Sequence, residues 1–161
     1  MLLLYLELSV NITRVFWKNN KMPDVMTPKQ RHNCMSHIRS KNTKPEQLVR
    51  QALWHHGYRY RLHAKDLPGK PDIVLPKYKS VIFINGCFWH GHDGCKDFVI
   101  PKTNTSFWLD KISKNKARDA RDEAALSLAG WKVITIWECE LKKSIIDETL
   151  VRLFSELIIP D

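Results

Sequence analysis

Residues 81–95 read VIFINGCFWHGHDGC, so that a strand-like apolar run passes directly into a loop rich in metal-binding side chains. The run from Val81 to Ile84 is typical of a buried β-strand. The loop that follows contains cysteine and histidine, whose thiolate and imidazole groups are the ligands that zinc prefers. This stretch therefore predicts a buried strand whose end carries a metal centre. The four side chains are Cys87, His90, His92 and Cys95.

The sequence on both sides of this strand predicts one α/β domain. Thr43-Lys44-Pro45-Glu46 is a capping-box pattern that begins a helix, and Gly57 is expected to end it. The apolar run 131–137 is typical of a central strand reached by a helical crossover. The order ααβββαβα describes a mixed β-sheet flanked by helices. The predicted elements are helices from 28 to 39, from Lys44 to Gly57, from Ser106 to Ala129 and after a cap at Ser144, and strands at 58–62, 72–76, 80–85 and 131–137.

The charge of the chain favours a polyanionic partner. Its 161 residues include 26 Lys and Arg against 17 Asp and Glu, a net charge of +9, and such a field concentrates nucleic acids. A membrane partner is less favoured, because the sequence has no long basic amphipathic helix. Residues 1–25 are expected to be a dispensable extension, since their apolar start is too short to span a membrane and is a poor signal peptide. Residues 26–161 then form the functional domain.

A fourth zinc ligand follows from the predicted strand order. If strands 80–85 and 131–137 are neighbours, their carboxyl ends bring Cys139 to the loop that holds Cys87, His92 and Cys95. Four such ligands make a closed tetrahedral zinc site, which is favoured over disulfides because the sequence shows no convincing export signal. The alternative is that the cysteines are small buried side chains and the histidines polar loop residues. His90 is then left as a proton carrier or as one more polar group.

Asp72 follows a Lys-Pro turn and begins a predicted strand beside the metal-binding loop. A carboxylate there suits magnesium, and it resembles the first carboxylate of the PD-(D/E)xK nucleases, in which cations flank the scissile phosphate. The usual second acidic residue and lysine are missing from the next strand, where Phe83, Ile84 and Asn85 stand. Glu46 is acidic too, but the capping box accounts for it without any chemistry. These features favour a metal-dependent enzyme that acts on nucleic acid.

Three aromatic residues have two interpretations. Phe88 and Trp89 lie between the metal ligands, and Trp108 begins the long charged helix. Consecutive aromatic residues usually belong to a core, but at a loop tip both are hard to bury. Exposed aromatic side chains in a basic protein are typical of wedges that enter a DNA stack.

Five stretches of the chain resemble the very-short-patch-repair (Vsr) endonucleases. They are MTPKQRHNCMSHIRSKNTKPE, LPGKPDIVL, VIFINGCFWHGH, PKTNTSFWLDKISKNKARDARD and GWKVITIWECEL, which together cover about residues 26–142 in order. The resemblance implies a nuclease fold related to type II restriction enzymes, with a structural zinc. It also implies nicking of DNA on the 5′ side of the T in a T:G mismatch left by deamination of 5-methylcytosine.

The resemblance further implies roles for individual residues. Two departures stand out: Asn85 occupies a position that can carry a histidine in the family, and one extra residue separates His92 from Cys95. Carried over by position, the resemblance makes Asp72 the magnesium ligand and His90 the active-site histidine, with Glu46 and Asp119 as acidic residues at or near the active site. It also implies that the basic N-terminal helix clamps DNA. The implied zinc ligands are Cys87, His92, Cys95 and Cys139, and the implied intercalating aromatic residues are Phe88, Trp89 and Trp108.

The expected partner is double-stranded DNA with a T:G mismatch, met by a monomeric cytoplasmic enzyme in the bacterial nucleoid. A cytosine-5 DNA methyltransferase is the expected functional companion, and no membrane is involved. Two alternatives stay open at this point. One is a restriction-type enzyme that cuts both strands of a matched site, and the other is a zinc-stabilised DNA-binding module without catalysis, which Asn85 keeps possible.

Overall fold

The structure is a computed structural model that describes residues 27–36, 41–62 and 64–158. The predicted N-terminal extension, residues 1–25, lies outside these ranges. Within them the element order is the predicted ααβββαβα. The helices are α1 (Pro28–Ser36), α2 (Lys44–His55), α3 (Thr105–Leu128) and α4 (Ile146–Glu156), and the strands are β1 (Arg61–Leu62), β2 (Ile73–Leu75), β3 (Ser80–Asn85) and β4 (Lys132–Trp137), with 3₁₀ helices at Pro76–Tyr78 and Glu138–Leu141.

The four described strands form one mixed sheet in the order β1-β2-β3-β4. β1, β2 and β3 are antiparallel neighbours, whereas β3 and β4 run parallel, from the Ser80–Lys132 pair to the Asn85–Trp137 pair. The connection between the parallel strands contains α3, as a parallel crossover requires. The predicted neighbourhood of the two apolar strands is therefore confirmed, and both strands end at the same edge of the sheet.

Helices cover both faces of this sheet, because successive strand residues point to opposite sides. On one face Val49 of α2 and Leu153 of α4 pack against Ile73, Ile82 and Ile134. On the other face, Leu126 of α3 packs against Val74 and Val81 in a second cluster. The prediction of a sheet flanked by helices is confirmed.

The prediction that β4 is a central strand is wrong for the described part of the chain, where β4 ends the sheet. Its apolar sequence has another cause. Ile134 and Ile136 are buried in the larger cluster, and Val133 packs from the opposite side against the smaller one. A strand covered on both faces reads as a continuous apolar run whether or not it has two neighbours.

Two predicted boundaries also differ from the structure. The strand predicted at 58–62 shrinks to Arg61–Leu62, because the amide of Tyr58 is already bonded to Leu53 O at 3.0 Å in the turn that closes α2 at Gly57. The predicted cap at Ser144 is also wrong. Helix α4 begins at Ile146, and its N-cap position is Ile145, which provides no side-chain hydrogen bond.

None of the described helices is long and apolar enough to cross a lipid bilayer.

The loop after β3 packs against α3 through a glycine. Gly91 has a φ of +63°, and a Cβ atom built there would lie 2.8 Å from Ile112 Cγ2 and 3.0 Å from Lys116 Cδ. Contacts this short mean that the loop backbone lies directly on the helix side chains. Gly94, in the same loop, has a φ of +74° with nothing within 4 Å of the corresponding position.

We predict that Gly91→Ala lowers the free energy of unfolding more than Gly94→Ala does. Both variants place a Cβ in the left-handed region, at a cost of about 1–2 kcal/mol. Only Gly91→Ala also pushes into a packed helix, which adds about 1–3 kcal/mol. Chemical denaturation of both variants with equal metal content measures the difference, and equal losses would contradict the close packing.

Candidate active site and metal centre

The carboxyl ends of β3 and β4 border a cleft of about 570 Å³. Segments that are distant in sequence meet there: the start of α2, the turn before β2, the end of β3 and the first residue after β4. Four of the five sequence-predicted catalytic side chains line this cleft, namely Glu46, Asp72, Asn85 and His90. The fifth, Asp119 of α3, contacts His90.

Asp72 stands immediately before β2, and its carboxylate reaches across the ladder to β3. Oδ2 accepts a hydrogen bond of 2.8 Å from the backbone amide of Ile84. This bond fixes the orientation of the carboxyl group toward the wall of the cleft. The hairpin thus presents an oxygen ligand of the kind that hard cations prefer.

Glu46 lies at the start of α2 and is only 3% exposed. The predicted capping box is confirmed, because Thr43 Oγ1 accepts from the Glu46 amide while the Glu46 carboxylate accepts from the Thr43 amide. The same carboxylate is 2.5 Å from Arg50 Nη2 and accepts from the Asn42 amide at 3.0 Å. Buried carboxylates need such partners, so these contacts give Glu46 a structural role at the cleft wall.

His90 is paired with Asp119 of α3, 29 positions further along the chain. His90 Nδ1 lies 2.6 Å from Asp119 Oδ2, and because a carboxylate only accepts, Nδ1 is the donor. Nε2 is therefore the ring nitrogen left for a ligand in the cleft. The main chain beside it is fixed as well, since Asn115 Nδ2 donates to Trp89 O at 2.8 Å.

Asn85, the last residue of β3, separates this cleft from a smaller cavity of about 140 Å³. His90 also lines both spaces, and Asp119, Asp122 and Glu123 of α3 line the smaller one. The side chain at position 85 therefore faces the same two spaces as His90, and it shares the smaller one with Asp119.

The sequence interpretation missed two charged residues of the cleft, Lys70 and Glu138. Glu138 directly follows β4, so the strand argument that located Cys139 also places Glu138 at the end of β3. Lys70 is the lysine of the Lys-Pro turn before Asp72 and has a φ of +53°, but the sequence does not indicate that it lines the cleft.

Beside the cleft, the predicted cysteine and histidine side chains do come together. The ligand atoms of Cys87, His92, Cys95 and Cys139 all lie within 4.8 Å of one another. His92 Nδ1 lies 3.4 Å from Cys139 Sγ. A zinc tetrahedron with Zn–S bonds near 2.3 Å has sulfur atoms about 3.8 Å apart, so this group is a compact site that can hold a metal ion.

The thiols of this group affect one another. Burial, followed by the hydrogen bonds and charges of Cys87 and Cys95, raises the pKa of Cys139 to about 12. Burial also raises the pKa of Cys87, whereas the Asp97 amide, which donates to Cys95 Sγ, lowers the pKa of Cys95. Three sulfur atoms this close cannot all become thiolates without a compensating positive charge. The donor set therefore fits a divalent cation.

Two ion pairs hold the outer part of the metal-binding loop. Lys116 Nζ of α3 is 2.7 Å from Asp93 Oδ2, and Lys142 pairs with Asp97 beyond the last loop cysteine. The loop is thus fixed to α3 on one side and to the segment after β4 on the other.

The predicted wedge residues form an aromatic cluster at the rim of the cleft. Phe88 and Trp89 are half-buried, and their ring centroids lie 5.2 Å apart. Trp108 does not match the expectation of exposure, because it is only 8% exposed and packs on Phe88 with centroids 5.3 Å apart. Its neighbour Phe107 is 55% exposed instead. The helix start turns Trp108 inward and Phe107 outward.

Comparisons with known proteins identify the family of this chain. Residues 23–97 match the family described as DNA mismatch endonuclease Vsr. The type II nicking enzyme V.NmeAIP of Neisseria meningitidis serogroup A is 54% identical over 137 residues, which cover 84% of this chain and 97% of that protein. The type II nicking enzyme V.XorIIP of Xanthomonas oryzae is 52% identical over 120 residues, covering 74% of this chain and 88% of that protein.

A third relative carries the family name itself. The DNA mismatch endonuclease Vsr of Escherichia coli K12 is 40% identical over 139 residues, which cover 85% of this chain and 88% of the relative. This alignment of 139 residues is longer than the matched family segment, residues 23–97. The chain therefore belongs to the DNA mismatch endonuclease Vsr family.

Proposed function

We propose that this chain is a mismatch-directed DNA endonuclease that nicks one strand on the 5′ side of the T in a T:G mismatch. The observation that carries the proposal is the shared cleft, which brings Asp72 and the His90–Asp119 pair beside an aromatic cluster. The names of the relatives support nicking over double-strand cleavage, because two of them are type II nicking enzymes.

The fold we propose is that of the PD-(D/E)xK nucleases. Support comes from the antiparallel β2–β3 hairpin with a carboxylate at its start and from the parallel strand beside it. The absent second carboxylate of the hairpin is the main departure. Glu138, at the end of the neighbouring strand, is the acidic residue that lines the same cleft.

In this proposal Asp72 holds the catalytic Mg²⁺. Bound there, Mg²⁺ supplies Lewis-acid stabilisation of the scissile phosphate and a more acidic water. The hydrogen bond from the Ile84 amide keeps the carboxylate directed at the cleft before DNA arrives. Glu46, paired with Arg50, holds the part of the cleft wall that the start of α2 forms.

His90 moves the proton. With Nδ1 bonded to Asp119, its Nε2 can accept a proton from the attacking water or donate one to the leaving oxygen. Asn85 cannot carry a proton, so the single imidazole performs this task. Asp119 keeps the ring oriented and stabilises it when it is protonated.

We assign Zn²⁺ to the group formed by Cys87, His92, Cys95 and Cys139. Three sulfur ligands and one imidazole in a closed set are typical of structural zinc. The group holds the loop on which His90 stands two residues before His92, so it positions the active site without entering it.

Phe88 and Trp89 act as wedges at the mismatch, with Trp108 packed behind them. Unstacking a base step costs a few kcal/mol and is cheapest at a mispair. A wedge therefore converts the weak stacking of a T:G pair into selectivity. The substrate is duplex DNA, bound by a monomer that works alongside a cytosine-5 DNA methyltransferase.

The decisive experiment incubates the protein with Mg²⁺ and duplexes labelled on each strand, either fully paired or with one T:G mismatch. We expect one nick, in the T strand. Asp72→Asn should abolish nicking while DNA binding survives, whereas Asp110→Asn, an exposed carboxylate paired with Lys114, should behave as the parent. Cleavage of both strands of paired DNA would indicate a restriction-type enzyme, and binding without any cleavage would indicate a DNA-binding module.

His90→Ala should lower the single-turnover nicking rate by about 10²- to 10⁴-fold, the usual contribution of a positioned acid or base. Asp119→Asn should cause a smaller loss, because the imidazole remains but loses its orienting acceptor. Asn85→His should keep or raise the rate, and His55→Ala, outside the cleft, should change nothing. A near-normal rate in His90→Ala would remove the proton-transfer role.

Cys139→Ser should release the metal and destabilise the fold, since removing one thiolate opens a closed tetrahedral site. Native mass spectrometry of the parent should show one zinc per chain. Cys34→Ser, which alters the one cysteine outside the group, is the control. A parent protein that contains no metal, and whose thiols all react freely with a thiol reagent, would contradict the zinc assignment.

Trp89→Ala should keep its zinc content and its fold but reduce the preference for T:G over paired DNA. Trp54→Ala removes a tryptophan that is 56% exposed on α2 and should leave the preference unchanged. The ratio of kcat/KM values for the two duplexes measures the effect. An unaltered ratio in Trp89→Ala would assign this residue to the core.

A further inference from the structure

Trp137, the last residue of β4, lies face to face with His92. The centroids of the indole and imidazole rings are 4.0 Å apart, and the ring planes differ by only 6°. Nearly parallel rings at this distance share most of one face. Trp137 is held in the sheet by its pairing with Asn85, whereas His92 belongs to the loop after β3. The ring contact therefore ties the loop to the sheet.

The imidazole of a metal site normally has its orientation fixed by a hydrogen bond from its second nitrogen to a carboxylate or carbonyl group. Here Nδ1 faces Cys139 Sγ at 3.4 Å, so Nε2 is the second nitrogen. Among residues 27–36, 41–62 and 64–158, none makes a hydrogen bond with this Nε2. The ring contact with Trp137 is therefore the interaction that fixes the plane of the imidazole.

The stacked arrangement also has an electrostatic consequence. An imidazole that binds a cation acquires positive charge, and the face of an indole ring carries the negative end of a quadrupole. The contact is therefore stronger when the site holds its metal than when it is empty. A tryptophan here favours the loaded state, which an aliphatic side chain of similar size does not.

We propose that Trp137 is a positioning residue of the metal centre, which holds the His92 ring in its ligand orientation and stabilises it in the metal-bound state. The inference rests on the proposed metal centre but not on nicking. In this proposal the end of β4 positions two residues of the metal-binding group, Cys139 through the chain and His92 through the ring of Trp137.

The test compares the metal affinity of Trp137→Leu and Trp137→Phe with that of the parent, using Zn²⁺ and a chromophoric chelator as competitor. Trp137→Leu should bind Zn²⁺ about 3- to 30-fold more weakly, the range of cation–π contributions, and Trp137→Phe should recover most of the loss. Trp131→Leu removes a tryptophan that packs on the other cluster and should keep the parent affinity.

A second readout separates positioning from general destabilisation. In the Co²⁺-loaded protein, Trp137→Leu should alter the ligand-field absorption, because the imidazole plane is no longer fixed, whereas Trp137→Phe and Trp131→Leu should give the parent spectrum. If Trp137→Leu does not fold, Trp137→Met takes its place.

A folded aliphatic variant with the affinity and the cobalt spectrum of the parent would overturn the role of Trp137 and leave the metal centre intact. Equal losses in Trp137→Phe and Trp137→Leu would also overturn it, because a phenyl ring keeps the stacking face. A parent that binds neither Zn²⁺ nor Co²⁺ would overturn the metal centre itself, and the nicking assay would then test the remaining function separately.

Discussion

The parallel pairing of β3 with β4 is the interaction on which the rest of this molecule depends. Six consecutive residue pairs, ending at Asn85 and Trp137, bring two distant segments to one edge of the sheet. The residues at that edge and just past it then serve two purposes. Cys87 and Cys139 enter the metal-binding group, while Asn85 and Glu138 face the cleft. A slip of one residue in this register would turn both sets to the wrong faces.

The loop after β3 joins the two sites over a very short distance in sequence. His90 faces the cleft and His92 faces the metal-binding group, and the residue between them is Gly91, whose positive φ allows the loop backbone to pack directly on α3. A change in the position of His92 therefore also shifts the backbone of His90, which is only two residues away. Helix α3 limits that movement from the other side, through Asp119 and Asn115. A site assembled in this way gains its geometry from packing before any DNA is bound.

The sequence predicts short-range patterns well, and it predicts long-range contacts only where a strand pairing can be inferred. The capping box at Glu46 and the ligands Cys87, His92 and Cys95 are recognisable from local spacing, whereas Cys139 follows from the predicted pairing of β3 with β4. The terminal position of β4 in the described sheet is not recognisable, because burial on both faces looks the same in edge and central strands. The family resemblance places His90 and Asp119 separately at or near the active site, but their pairing is not predicted, since nothing local links positions 29 apart. The burial of Trp108 depends on which side of α3 meets Phe88, and the helical period does not fix that choice.

The cleft resolves an electrostatic conflict, since a polyanion has to approach a wall that carries carboxylates. The net charge of +9 supplies the long-range attraction, but local repulsion would remain if each carboxylate were bare. Glu46 is neutralised by Arg50 at 2.5 Å, and Asp72 accepts a backbone amide. Asp119, which stands behind His90, accepts a hydrogen bond from His90 Nδ1 and is paired with Arg118 Nη2 at 3.1 Å. Glu46, Asp72 and Asp119 therefore each have a positive partner or an N–H donor, which reduces the repulsion that these three carboxylates exert on an approaching phosphate.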